Sequence, residues 1–301
     1  MTGKNTISIG YFADGPWSHR ALEKLLSDKT VVISFICVRY DSRDPVLAEF
    51  AEREGIDYLF NKNVNSVEFI EHLKSYDCDL LVSMSFNQIF RRSLIDMAPL
   101  GLINCHAGKL PFYRGRNILN WALINDEKEF GITVHYVDEG VDTGDIISQT
   151  TFPITDEDDY GSLLEKAYDG CARLLYHSIK QIQGGSASRV RQKDIHPVGF
   201  YCSARRLGDE CLLWNQTSRE VFNFVRALSF PGPEALTYYG DKEIRIMKVC
   251  LVSNAPTYKG IPGAVLAATA DGYFVKTRDS FVEVIEWSGV DKLQVGTRLG
   301  E

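Results

Sequence analysis

Short β-branched runs alternate with helical patterns through the first half of the chain, which is the signature of a parallel sheet covered on both faces. Thr6–Phe12 forms the first such run. Ala21, Leu22, Leu25 and Leu26 then recur at helical spacing and predict a helix over Trp17–Ser27. The same patterning predicts strands at Val31–Val38, Asp57–Phe60, Asp79–Met84 and Gly101–Asn104, with helices at Pro45–Glu54, Ser66–Tyr76 and Arg91–Met97. Ligands in open α/β sheets bind beyond the carboxyl ends of the strands, so chemistry is expected there.

From Gly131 the pattern changes. Two strand-like runs, Gly131–Val137 and Asp145–Ile154, flank the segment Asp138–Gly144, and a long amphipathic helix over Tyr160–Gln183 stops at Gly184–Gly185. The mixed small, polar and basic stretch 186–204 has the composition of a linker. After it come one helix, Ser218–Leu228, and short strands punctuated by Gly, Pro and Asn: Ala235–Tyr239, Glu243–Leu251, Gly263–Thr269, Gly272–Thr277 and Phe281–Trp287. The expected layout is an α/β catalytic domain over residues 1–185 with a Rossmann-like, mostly parallel sheet, then a small β-barrel-like domain over 205–301.

Composition narrows the function classes. The 301 residues are 24% charged, and no window approaches 18 uninterrupted apolar positions. Neither a membrane span nor a basic-then-apolar leader pattern is present, so the expected compartment is the cytoplasm. Seven dispersed cysteines with no C-x-x-C pair read as reduced, mostly buried residues and give no metal-site pattern. The 33 basic and 40 acidic residues leave a net charge of −7, and Arg205–Glu301 holds twelve of each. Neither part has the basic surface expected of a nucleic-acid module.

One stretch carries candidate chemistry: Asn104-Cys105-His106, Lys109-Leu110-Pro111, Tyr113-Arg114-Gly115-Arg116, Trp121, Gly131-x-Thr133-x-His135 and Asp138 to Asp145. Asn104 and His106 are two apart where a buried strand ends, so their side chains face one way and Cys105 faces the other. Asp142 lies in a glycine-bracketed loop from which it could reach an imidazole. An Asn, a His and an Asp meeting at a sheet edge suit acyl transfer to an amine. The amide donates to an oxyanion, the imidazole relays a proton and the carboxylate orients the imidazole, with no nucleophilic Ser or Cys required. Arg116 and, less directly, Lys109 are placed to meet a phosphate, Arg114 to brace its own loop, and His135 to be a buried structural histidine. His19, His72, His177 and His196 show no partner pattern. The first turn, Gly10 to Trp17, lacks G-x-G-x-x-G, so a nicotinamide cofactor is not supported.

These motifs resemble the formyltransferases that use N10-formyltetrahydrofolate, over most of residues 6 to 184. The later run Phe200–Arg206, Leu213-Trp214, Phe230-Pro231-Gly232 and Pro262-Gly263 is similar to the C-terminal domain of two-domain members. The resemblance implies that Asn104, His106 and Asp142 take the catalytic places and that Asp145 supports the loop. It further implies that the folate cosubstrate lies against Ser85, Phe86, Asn87, Ile89, Leu110, Asp138 and Val141. Phe12, Asp14 and Trp17 fall near the acceptor, and no metal is implied.

The acceptor follows from charge. The family's tRNA enzymes carry a longer basic insertion after the second strand and a basic C-terminal domain. Here Arg39–Pro45 is short, with two arginines and two aspartates, and Ala107-Gly108-Lys109 departs from their usual Ser-Leu or Thr-Leu. The expectation is therefore a nucleotide-linked amino sugar of surface polysaccharide synthesis as acceptor, on a homodimeric enzyme with no nucleic-acid or membrane partner. Methionyl-tRNA formyl transfer is the alternative.

Overall fold

A computed structural model describes residues 6–300. In chain order the elements are β1 (Ile7–Ala13), α1 (Gly15–Leu26), β2 (Val31–Val38), α2 (Pro45–Glu54), β3 (Asp57–Phe60), α3 (Val67–Lys74), β4 (Leu80–Met84), α4 (Arg92–Ile95), β5 (Leu102–His106), β6 (Arg114–Gly115), α5 (Ile118–Ile124), β7 (Glu129–Tyr136), β8 (Ile146–Pro153) and α6 (Tyr160–Gln183). They continue with α7 (Gln192–Ile195), β9 (Tyr201–Cys202), α8 (Ser218–Ala227), β10 (Ala235–Tyr239), β11 (Lys242–Leu251), β12 (Val265–Ala268), β13 (Tyr273–Lys276) and β14 (Phe281–Ser288).

Two compact units are present, and they do not follow the contiguous boundaries expected from composition. The first comprises residues 1–115, 131–152 and 165–202; the second comprises 116–130, 153–164 and 203–301. The stretch expected to be a linker is built into the first unit as far as Cys202. Val190 bridges to Ile146 by two main-chain hydrogen bonds, β9 pairs with β6, and Gln192 is only 3% exposed. Polar composition suggested free chain, whereas here polar side chains and main chain are spent on tertiary hydrogen bonds.

The first unit holds a seven-stranded sheet in the order β3-β2-β1-β4-β5-β7-β8. The five strands from β3 to β5 are mutually parallel, and β7 runs antiparallel to β5. Local chemistry sets the helix ends. Asp44 caps α2 by accepting from the Val46 and Leu47 N–H groups, Pro45 opens it, and Gly55 ends it in the left-handed region at φ 66°. Ser66 caps α3 through the Phe69 N–H. One core face gathers Phe12, Phe35, Phe69, Leu73, Leu81, Phe90 and Leu94. Burying a side chain such as Phe12 stabilises by roughly 1.5–3 kcal/mol. That packing fixes β1, β4 and β5 side by side, with their carboxyl ends along one edge.

The second unit contains a five-stranded antiparallel sheet, β10-β11-β14-β13-β12. Helix α8 begins with a reciprocal cap between Thr217 and Glu220 and packs on β11 and β14, with α5 against it. Trp214 is buried in this core with its indole N–H on the Thr237 hydroxyl, as a core role predicts. Trp287 is packed against the same core. Lys276 is fully buried, and its ammonium donates to the carbonyls of Tyr258, Thr277 and Ser280.

Candidate active site

Asn104 and His106 occupy alternate positions on β5, and the register with β7 places Asn104 opposite His135 and His106 opposite Thr133. Cys105, between them, turns the other way and donates to the Cys171 carbonyl at 3.8 Å from inside the core. Alternation along a strand requires this, and it removes the thiol from the site. The Asn104 Nδ2 lies 3.3 Å from His135 Nε2, and His135 Nδ1 lies 2.8 Å from the Tyr136 carbonyl. A carbonyl only accepts, so Nδ1 carries a hydrogen, and Nε2 faces the Asn104 amide.

His106 is held by similar logic. Its Nε2 donates to the Tyr113 carbonyl at 2.7 Å, which leaves Nδ1 facing Asp142 Oδ2 at 3.7 Å. The other carboxylate oxygen of Asp142 lies 3.6 Å from His135 Nε2, and Oδ2 also accepts from the Gly115 N–H at 2.9 Å. One carboxylate therefore stands between two imidazoles, and a proton arriving at His106 Nδ1 lands beside it. Asp142 reaches this place with a left-handed backbone, φ 53°, in the loop between β7 and β8.

Burial opposes ionisation of Asp142, but His106, His135 and the Gly115 N–H outweigh it and hold the carboxyl well below the usual carboxylate range. The folded protein thus binds this proton less readily than the unfolded chain does. The resulting stabilisation is complete above about pH 4, the unfolded carboxyl range, and is lost as pH falls below that towards the folded value. Melting curves of wild type and Asp142→Asn between pH 7 and pH 2 should therefore converge on the acid side. Parallel curves would contradict the assignment.

The loop that carries Tyr113 is shaped by close approach. A Cβ on Gly108 would lie 2.4 Å from His106 Nε2 and 2.4 Å from the Tyr113 oxygen, so only glycine lets that hydrogen bond form. Thr133 Oγ1 donates to the Gly108 carbonyl at 2.7 Å, and Gln149 Nε2 donates to the Leu110 carbonyl and to Thr133 Oγ1. Gly131 admits the Lys109 main chain, which a Cβ there would meet at 2.7 Å. Arg114 braces the loop: its Nε and Nη2 donate to Gln192 Oε1 at 3.0 and 2.6 Å, and its N–H donates to the Phe200 carbonyl.

Other predicted residues divide into those at the carboxyl edge and those in the core. Ser85, at φ 60°, begins the loop after β4, and its carbonyl accepts from Arg39. Asn87 donates to Asp41, while Gln88 and Asn65 tie the same loop to Val64, Asn61, Ile89 and Arg91. Ile89 and Val141 are 52% and 44% exposed, each an apolar side chain open to a ligand. Asp138 accepts from Gly140 N–H and Thr143 Oγ1 and so shapes its own loop. Asp14 sits at the end of β1, half-buried, 3.2 Å from Arg39; burial raises its carboxyl above the usual range despite that cation.

Four of the expected residues are packed within the first unit. Phe12 is fully buried among Phe35, Phe86 and Phe90, because the inward face of β1 points into the core. Phe86 is partly buried and stacks on Phe90 at 5.7 Å. Leu110 is 1% exposed, so its side chain packs inward while its main chain is tied to Thr133 and Gln149. Trp17 turns edge-on against Tyr168 of α6 at 4.7 Å. Lys109 and Arg116 are exposed, Arg116 as part of the second unit. His135 is in contact with the site rather than merely structural, and His19 has a partner, Asp44 at 2.7 Å. Gln149 and Gln192 carried no sequence signal, since an isolated glutamine belongs to no chemical motif. Among the described residues no group of three or more His, Cys, Asp and Glu side chains is placed to hold a metal ion.

Known families match both parts of the chain. Residues 33–178 match the formyl transferase family, and residues 207–295 match the formyl transferase C-terminal domain. A methionyl-tRNA formyltransferase of Halothermothrix orenii is 32% identical over 294 residues, 93% of this chain and 92% of that one. The chain belongs to the formyl transferase family. A methionyl-tRNA formyltransferase of Acetivibrio thermocellus is 32% identical over 231 residues, 77% of this chain and 73% of that one. Among solved structures this formyltransferase shares its fold with WlaRD, a sugar 3N-formyl transferase crystallised with dTDP and 5-N-formyl-THF. The TM-score is 0.69 at 21% identity, covering 96% of this chain and 99% of that one. The N-formyltransferase of Helicobacter canadensis, in complex with folinic acid and dTDP-3-aminofucose, gives the same TM-score and identity over 94% of this chain and 100% of that one. The N-terminal match of the formyltransferase contains Asn104, His106, His135 and Asp142, and the C-terminal match contains β10 to β14.

Proposed function

We propose that this formyltransferase moves the formyl group of N10-formyltetrahydrofolate to the amino group of a nucleotide-linked amino sugar by direct attack. The observation that carries the chemistry is the meeting of Asn104, His106 and Asp142 at the β5 edge, with the nearest thiol, Cys105, turned into the core. The acceptor nitrogen bonds to the formyl carbon while the bond from that carbon to folate N10 breaks. Asn104 Nδ2 donates to the formyl oxygen as negative charge develops there. His106 takes the amine proton and passes it to the departing folate nitrogen, and Asp142 stabilises the charged imidazole in between. The loops 85–89 and 138–142, with exposed Ile89 and Val141, suit a folate ring system. Asp14 and Lys109, both in the first unit, serve the acceptor side.

The acceptor reading is supported by what the cations already do. In the short connection after β2, Arg39 pairs with Asp14 and Arg43 stacks on Phe60 at 3.7 Å. In the second unit Arg219 pairs with Asp156, Arg226 binds Asn223 and two carbonyls, Arg278 pairs with Glu220, and Lys276 is buried. A tRNA acceptor calls for many cations free to displace counterions, whereas a diphosphate needs two or three. The second reading, methionyl-tRNA formyl transfer, draws support from the relatives of that name at 32% identity. Folate release measured against a panel of uridine- and thymidine-diphosphate amino sugars, and against charged initiator tRNA, separates the two. Turnover with a sugar nucleotide is the expected result; turnover with tRNA alone overturns it.

A further inference from the structure

Gln192 is 3% exposed on the segment that follows α6, and its side-chain amide makes four hydrogen bonds to the site's framework. Its Nε2 donates to the Asp142 carbonyl at 2.8 Å and to the Gly144 carbonyl at 2.9 Å. Its Oε1 accepts from Arg114 Nε and Nη2 at 3.0 and 2.6 Å. One amide thus joins two loops that both touch His106: the Tyr113–Gly115 turn, which supplies the Tyr113 carbonyl and the Gly115 N–H, and the Asp142 loop, which supplies the carboxylate.

The need for such a joint is visible in the backbone. Tyr113 and Asp142 both have left-handed conformations, φ 55° and 53°, which an unassisted L-residue rarely keeps. Gly144 leaves no space for a side chain, since a Cβ there would lie 1.8 Å from the Tyr136 carbonyl. The side-chain amide is suited to the place because it offers two donors and an acceptor with no charge to neutralise. A carboxylate would face two carbonyls, and an aliphatic side chain would leave them and Arg114 unpaired.

We infer that Gln192 is a positioning residue for formyl transfer, which pins the Asp142 loop to the Arg114 turn and so keeps the Asp142 carboxylate against His106. The segment 186–202 is then part of the catalytic apparatus rather than a spacer between two domains. The inference rests on the roles given to Asp142 and His106 above, but its test requires no acceptor.

The variant of choice is Gln192→Glu, which keeps an acceptor for Arg114 but replaces the two donations to the Asp142 loop with a carboxylate oxygen set against two carbonyls. In ¹⁵N-histidine NMR spectra of the full-length protein, the His106 Nδ1 signal, which faces Asp142, should move in this variant. The Nε2 signal, held by Tyr113, should stay. With any acceptor that supports turnover, kcat should fall on the order of 10²-fold, as expected when a reacting group is misplaced by about 1 Å. A folded Gln192→Glu protein with both His106 signals unchanged overturns the inference even if no acceptor is ever found. Should the variant fail to fold, the wild-type protein decides: the Gln192 side-chain amide protons are expected to exchange slowly with solvent, and free exchange overturns the inference.

Discussion

A His106→Ala variant should lose formyl transfer by about 10²- to 10⁴-fold while retaining a cooperative melting transition. The rate loss follows from the two ring nitrogens doing different things. Nε2 is committed to the Tyr113 carbonyl, so only Nδ1, beside Asp142, is available to take up and release a proton. Alanine removes that station and nothing nearby replaces it, because the His135 Nδ1 is committed to the Tyr136 carbonyl and its Nε2 to Asn104. The stability loss should be smaller. One buried carbonyl, that of Tyr113, loses its donor, which costs about 1–3 kcal/mol. Stopped-flow measurement of folate release beside thermal melts tests both parts, and a His106→Ala protein within tenfold of wild type would eliminate the proton relay.

Gly108→Ala should be nearly as damaging, although it adds a single methyl group and touches no reacting atom. The added carbon would stand 2.4 Å from both His106 Nε2 and the Tyr113 oxygen, well inside any normal contact, so ring and carbonyl must part. Gly108 is absent from the positive-φ glycines, so alanine is not opposed by backbone conformation and the effect is confined to that hydrogen bond. The expected loss in kcat is on the order of 10²-fold for a displaced catalytic group. Gly185→Ala gives the contrast. Gly185 has φ 67° and a Cβ there would meet nothing within 4 Å, so the substitution should cost about 1 kcal/mol of stability and leave turnover unchanged. Equal activity of the two variants would contradict the account.

Much of the fold was legible because its determinants are local. The β-branched runs of β1, β2 and β4 and the caps at Asp44 and Ser66 each lie within a few residues of what they specify. The Asn104–His106 pair was legible for the same reason, since strand alternation is a two-residue rule. Side chains whose role depends on a distant partner were not. Phe12 and Leu110 lie at the carboxyl edge in sequence, but the core takes their side chains. His135 needs the β5–β7 register, His19 needs the cap of α2, and Gln192 needs the loops at 114 and 142 brought together across the first unit. The linker expectation failed on the same ground. Composition separates polar from apolar chain, but it does not separate polar chain in water from polar chain whose hydrogen bonds are made within the protein.

The central claim is that the formyl group passes straight from folate to an amine, with Asn104, His106 and Asp142 stabilising the transfer and no group on the protein taking the formyl in between. Rapid-quench analysis with N10-formyltetrahydrofolate labelled in the formyl carbon, and an amino-sugar nucleotide as acceptor, tests it directly. The account predicts that label appears on the acceptor amine at the rate at which folate is released, that none is ever protein-bound, and that Cys105→Ala transfers normally. Label trapped on the protein, or folate released while the amine stays unformylated, would contradict it.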